Sequence, residues 1–394
     1  MRILKTIASS YVCVAFIALL AFDVTARFTA DHWPIDKFSS PNRSWIWWAT
    51  DQFRKQQERP HVVLLGSSLM MAALHGGDAT ALNAPQNVAL HHEANYLETL
   101  LAQKTHEPVN TFAFAIGGQM VSDAYAITST MLRGERKPDT IVYGVAPRDF
   151  IDNMLASPAS TETFRYMNRV GGLADEALPA RTTFWEKVEY GCEKLSFLYD
   201  HRNDFVYLQN KYARSVLAST LHMKDLDFVH TPFPLRKIAM AQLPEDTGAN
   251  EILILPYNAQ KDKYEDNTPE YRSRYRSFNK KKFQTQLAFL DKLGKFCKQE
   301  GINLVLVNMP LTTDNVALMP PGLYDSYLGH LQTACTTYGA RMIDLNQPQV
   351  FQHDCFADSV HLNGHGGKLF FEQLADHLTT DPTMLAVSRR SLTH

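Results

Sequence analysis

The chain has 394 residues, of which 45% are hydrophobic and 20% charged, and its formal net charge is −2. That length exceeds one minimal core and predicts one large domain with an insertion, or two domains. The near-neutral balance gives no electrostatic reason for a nucleic-acid partner, and no G-x-x-x-x-G-K-[ST] loop offers a nucleotide phosphate site.

The chain begins with Arg2 and Lys5, followed by the uncharged run Thr6–Phe22, which ends at Asp23. The run is at the short end of what spans a bilayer, and its basic flank places the start in the cytoplasm and the body outside. Val24-Thr25-Ala26 also fits a small-x-small cleavage site, so a removable signal peptide stands as the alternative to a retained anchor over residues 1–27. Either way the body is exported, to the periplasm or the cell surface. The anchor is the favoured reading, since the cleavage match is weak and the apolar run long for a signal.

A juxtamembrane segment, residues 28–59, contains "SWIWW". Trp45, Trp47 and Trp48 fit a membrane interface or a helix packed on the core, and the two readings stand level. Cys13 lacks the small residues of a lipid-attachment site. Cys335 and Cys355 bracket a helix end, a short strand and a loop, which suits a disulfide in an oxidising compartment; free thiols explain them equally well. No CxxC pattern suggests a metal.

From residue 60 the rhythm is α/β. "HVVLLG" (61–66), "NTFAFAIG" (110–117) and "DTIVYGV" (139–145) read as buried parallel strands, with a helix over 122–135 before the third. The pattern breaks over 151–278, which reads as a mainly helical insertion or lid, with helical segments in 182–220 and a loop-like 230–248. Alternation returns in 279–380: a helix to Gly301, the strand "INLVLVNMP" (302–310), a helix over 322–339, the short strand "ARMIDL" and a last helix from Gly364, before a tail at 381–394. The expected architecture is a three-layer α/β/α domain on a parallel sheet, split by a helical insertion and preceded by a transmembrane helix.

Three clusters fall where open α/β sheets place their sites: Gly66-Ser67-Ser68, Gly117-Gly118-Gln119 and Asp358-Ser359-Val360-His361. A serine on a turn is weak evidence alone, since serines cap helices. Acyl transfer needs a serine, an imidazole to take its proton and a carboxylate to orient that imidazole. Asp358 and His361, three apart, suit one short turn presenting both to a cleft. Gly118 offers an unobstructed backbone N–H for a developing oxyanion. "HHEANY" (91–96) fails the H-E-x-x-H spacing for zinc and reads better as a helix start.

This set resembles the SGNH (GDSL-like) hydrolase superfamily. "LLGSSL" is similar to its first block, with Ser68 as nucleophile and Ser67 in the usual aspartate position; "NTFAFAIGGQ" to its second, with Gly118 as donor; "DSVHLN" to its last, with His361 as base and Asp358 as its carboxylate. The third block departs, because "VYGVAPRDF" has no asparagine after Gly144. Arg148 or Gln119 replaces that donor, or the oxyanion rests on the Ser68 and Gly118 amides. The resemblance extends in plan to envelope proteins of the D-alanyl transfer and alginate O-acetylation types, which work with membrane-bound O-acyltransferases. It implies a flavodoxin-like fold, no metal or other cofactor, and a serine esterase or O-acyltransferase acting on acylated glycans or lipids. Two alternatives remain: a weakly catalytic or non-catalytic partner of an O-acyltransferase complex, and an α/β binding protein whose serines cap a helix.

Overall fold

A computed structural model describes residues 11–39, 44–171, 173–221, 241–242 and 252–380. The 381–394 tail, the basic flank of the apolar run and most of the 230–248 loop lie outside the described residues. The chain divides into two compact units, one of Met1–Arg43 and Arg181–His230, the other of Ser44–Ala180 and Thr231–His394. The 151–278 segment is therefore shared between them rather than forming one body.

The larger unit is built on a five-stranded parallel sheet. Its strands are β1 (Val62–Gly66), β3 (Thr111–Ala115), β4 (Thr140–Val145), β7 (Asn303–Asn308) and β8 (Arg341–Asp344), in the order β3-β1-β4-β7-β8. Counted along the chain that is 2-1-3-4-5, the flavodoxin-like order, whose direction reverses between β1 and β4. β1, β3 and β4 are buried at every position, which is why each reads as an unbroken apolar run. A second, antiparallel sheet joins the two-residue strands β2 (Gln86–Asn87), β5 (Ala241–Gln242) and β6 (Leu253–Ile254), the last two within the segment expected to be helical.

The helix Trp45–Lys55 belongs to this unit. It buries Ile46, Ala49 and Phe53, and the Phe53 ring lies 5.0 Å from Phe112 and 5.1 Å from Phe114. "SWIWW" therefore lies on a helix packed on the core, but through Ile46 and not through the tryptophan rings, which are half-buried along it.

The smaller unit holds the helix Tyr11–Phe28, the one described helix long and apolar enough to cross a membrane. Beside it are Phe184–Leu195, Phe197–Asp200 and Arg202–Leu221. Asp23 binds this unit together: its carboxylate accepts from Ser196 Oγ at 2.7 Å and from the Leu198 and Phe197 N–H groups at 2.8 and 3.3 Å. These are the orphan donors of a helix start, so a polar residue at the end of an apolar run is fully used.

Candidate active site

β1 ends at Gly66, paired in register with Gly144 of β4. A Cβ at Gly66 would lie 2.6 Å from Met70 Cβ and 2.9 Å from the Gly144 carbonyl oxygen, so no side chain fits. The chain turns at once into the helix Ser68–Leu82, with Ser67 at the N-cap. Ser67 makes no side-chain cap bond. Ser68 is the first helical residue, with an N–H that has no intrahelical acceptor and forms part of the positive end of the helix dipole.

His361 comes from the loop between β8 and the helix Gly364–Thr380. The Ala357 N–H donates to the His361 carbonyl at 2.8 Å, and a bridge joins Phe356 to Leu362, closing a tight loop. Within it, Asp358 Oδ1 accepts from the Val360 and His361 N–H groups at 2.9 and 2.8 Å. Its other oxygen, Oδ2, lies 2.7 Å from His361 Nδ1, and His361 Nε2 lies 2.8 Å from Ser68 Oγ. With Nδ1–H donating to the carboxylate, Nε2 is left to accept the Ser68 proton. Burial pushes the Asp358 carboxyl up, but the adjacent His361 ring and the N–H bonds outweigh it and hold it below the usual range, hence ionised.

Other elements hold this loop. Thr312, just after β7, donates its N–H and Oγ1 to the Ser359 carbonyl at 3.2 and 2.9 Å. The Ser359 hydroxyl meets Asn267 and Asn315. Asn363 donates to the carbonyls of Asp354 and Phe356 and accepts from the Gly366 N–H, so it shapes the loop and starts the final helix.

Glycines bring the serine and the histidine together. A Cβ on Gly77 would lie 2.9 Å from the Gly367 backbone, and one on Gly367 would lie 2.6 Å from the Ala73 carbonyl oxygen. The helix that Ser68 begins and the helix that follows His361 thus touch backbone to backbone. The paired glycines of "GHGGKLFF" are the sequence signal of that contact.

The second and third blocks lie beside one another. Gly118 has φ +82°, and a Cβ there would lie 3.8 Å from Arg148 Nη2. Arg148 is buried and heavily committed: Nε and Nη2 lie 3.1 and 2.9 Å from Asp152 Oδ2, while Nη1 lies 3.2 Å from both the Gln119 carbonyl and Asp149 Oδ1. What remains unspent is the Nη2 edge toward Gly118. Gln119 is buried, and its Nε2 donates one of its two hydrogens to the Phe114 carbonyl at 3.0 Å. Asp152 also binds Arg274, which comes from the far end of the 151–278 segment.

Two more carboxyls are buried here. Burial pushes Asp149 up to about 6 despite Arg148 and the Ala146 N–H, and pushes Asp123 up to about 7 despite bonds from Thr161 and the Met120 N–H. Asp149 appeared in the sequence only as a neighbour of Arg148. Asp123, Asp152 and Arg274 carried no motif, although Arg148 and Asp152 at i,i+4 are a visible ion-pair spacing.

Among the described residues no group of His, Cys, Asp and Glu is arranged to hold a metal ion. His91 pairs with Asp78 at 2.9 Å, and Asp78 caps the helix Asn95–Thr105 through the N–H groups of Asn95 and Tyr96. All five cysteines are free thiols, so Cys335 and Cys355 are unpaired. No protein-family model matches the chain, and no curated protein matches it.

Proposed function

We propose that this chain is a membrane-anchored, extracytoplasmic serine esterase or O-acyltransferase of the SGNH type, acting on ester-linked acyl groups of cell-envelope glycans or lipids. The observation that carries this is the unbroken relay from Asp358 through His361 to Ser68, closed between residues 293 apart in sequence. Its position supports the reading, because the serine stands at the carboxyl end of β1, where the strand order reverses. A non-catalytic partner needs no ionised carboxylate orienting a ring against a serine.

Ser68 Oγ attacks the ester carbonyl carbon as His361 Nε2 takes its proton, and Asp358 stabilises the imidazolium that forms. The carbonyl oxygen gains negative charge facing the Ser68 and Gly118 N–H groups, with the Arg148 cation alongside. Collapse of the tetrahedral intermediate breaks the C–O bond, and His361 returns the proton to the leaving alcohol. Water, or a sugar hydroxyl, then releases the acyl group from Ser68 by the same steps. The helix Tyr11–Phe28 supplies the anchor.

A fluorophosphonate probe applied to the full chain tests this. It labels the wild type and fails on Ser68→Ala. Equal labelling of both, or labelling of neither, overturns the assignment.

A further inference from the structure

The helix Phe184–Leu195 buries none of its residues. At 100° per residue, Phe184, Trp185, Val188, Cys192 and Leu195 share an arc about 100° wide, the apolar stripe of an amphipathic helix. In a soluble protein that stripe faces a core. Here Phe184, Trp185 and Leu195 are 70%, 75% and 80% exposed.

The polar side is the one that is occupied. Arg202 pairs with Glu189 at 2.7 Å, Arg181 pairs with Glu193 at 2.9 Å, and the Arg181 guanidinium lies 4.7 Å from the Tyr190 ring centre. Ion pairs thus hold the hydrophilic face toward the unit's own residues and turn the hydrophobic face outward. The helix is also tied to the membrane-spanning candidate. Arg27 donates to the carbonyls of Lys194 and Leu195 at 3.3 and 2.8 Å, and Asp23 caps the next helix at Ser196–Leu198. Both tethers lie in the last turns of Tyr11–Phe28, where a spanning helix leaves the bilayer.

We infer that Phe184–Leu195 is an interfacial helix whose apolar stripe lies in the outer surface of the lipid bilayer. An aromatic pair at one end, an aliphatic stripe and a lysine border formed by Lys187 and Lys194 fit an apolar face sunk about 5–10 Å into the headgroup boundary, with ammonium groups among the phosphates. A phospholipid surface is chosen over a protein partner because the spanning candidate brings it to this end of the unit without a further binding event. The inference rests on the membrane-anchor part of the proposed function and is independent of the esterase chemistry.

Spin labels on the full chain in phosphatidylcholine nanodiscs test it. Cys13, Cys192 and Cys335 are changed to serine, single labels are placed at Trp185→Cys, Val188→Cys and Ile17→Cys, and circular dichroism verifies the fold of each. Power saturation with oxygen and a water-soluble nickel chelate reads the depth. The expected result is a lipid depth of about 5–10 Å at positions 185 and 188 and a deeper value at 17. A water-exposed signal at 185 and 188 with lipid depth at 17 overturns the inference and leaves the anchor standing. Low access of both reagents at 185 and 188 overturns it in favour of a protein cover. An aqueous signal at 17 overturns the anchor and the inference together.

Discussion

Replacing Asp358 by asparagine breaks the relay without dismantling the loop. The Val360 and His361 N–H groups need an acceptor, so the new side chain places its carbonyl oxygen where Oδ1 stands. Its amide nitrogen then faces His361 Nδ1 in place of the carboxylate oxygen now 2.7 Å away. An amide N–H donates, so Nδ1 must accept, and the ring proton moves to Nε2. Nε2–H then points at Ser68 Oγ, and the base is lost. A wrong tautomer of this kind lowers the rate on the order of 10⁴-fold, about 5.5 kcal/mol in the barrier. The cost in stability is smaller, about 1.5–3 kcal/mol for one charge-assisted hydrogen bond. The assay is the second-order rate of fluorophosphonate labelling of the full chain, with thermal melting as the check on folding. Raising the pH does not restore the rate, because what is lost is a tautomer and not a protonation state. A folded Asp358→Asn protein that labels within about tenfold of wild type refutes the tautomer argument.

The helix contact, the buried cation and the buried acid each make a prediction. Gly367→Ala forces the two glycine-faced helices apart at a site where Cβ would lie 2.6 Å from the Ala73 carbonyl oxygen, so chemical denaturation shows a loss of about 1–3 kcal/mol and labelling of Ser68 slows. Arg148→Ala leaves the buried Asp149 charge without its cation, while Asp152 keeps Arg274, and destabilises by about 3–5 kcal/mol at pH 8. The loss narrows at pH 5, where Asp149, raised to about 6 in the wild type and further once Arg148 no longer lowers it, is protonated. Asp123, raised from 3.8 to about 7 by burial, binds a proton more tightly in the folded state than in the unfolded one. Stability from this group is therefore full below its unfolded value and is lost as pH rises through 4 to 7, by up to about 4 kcal/mol at ~1.4 kcal/mol per pH unit. Melting temperature against pH should fall more steeply over that window in wild type than in Asp123→Asn; parallel curves refute the assignment.

The strands were legible because burial on both faces removes most polar residues from them, and the runs in "HVVLLG" and "INLVLVNMP" are short, rich in valine and leucine, and stopped by glycine or proline. Ser68, Asp358 and His361 were legible because each is fixed locally, one by a glycine after a strand and two by a three-residue spacing. The split of 151–278 was not legible. It depends on Asp23 meeting Ser196 and on Arg202 meeting Glu189, pairings that leave no trace in helical periodicity. The surroundings of Arg148 and Gln119 were hidden for the same reason: Gln119 donates to the Phe114 carbonyl, and Arg148 pairs with Asp149 and Asp152, by contacts that only the folded chain makes.

Ser67 and Arg148 belong to one buried arrangement around Asp149. The Ser67 side chain is buried beside the Asp149 carboxyl, whose oxygens already accept from the Ala146 N–H and from Arg148. An aspartate at 67 would set a second carboxylate in the same dry space, and two such groups cannot both ionise there. A serine adds a hydroxyl and no charge. Arg148, in turn, needs Asp149 and Asp152 to be held inside the protein, and its one unspent edge faces Gly118. Serine at 67 and the buried Arg148–Asp149 pair therefore go together, since Ser67→Asp would set a second carboxyl beside one that Arg148 already neutralises.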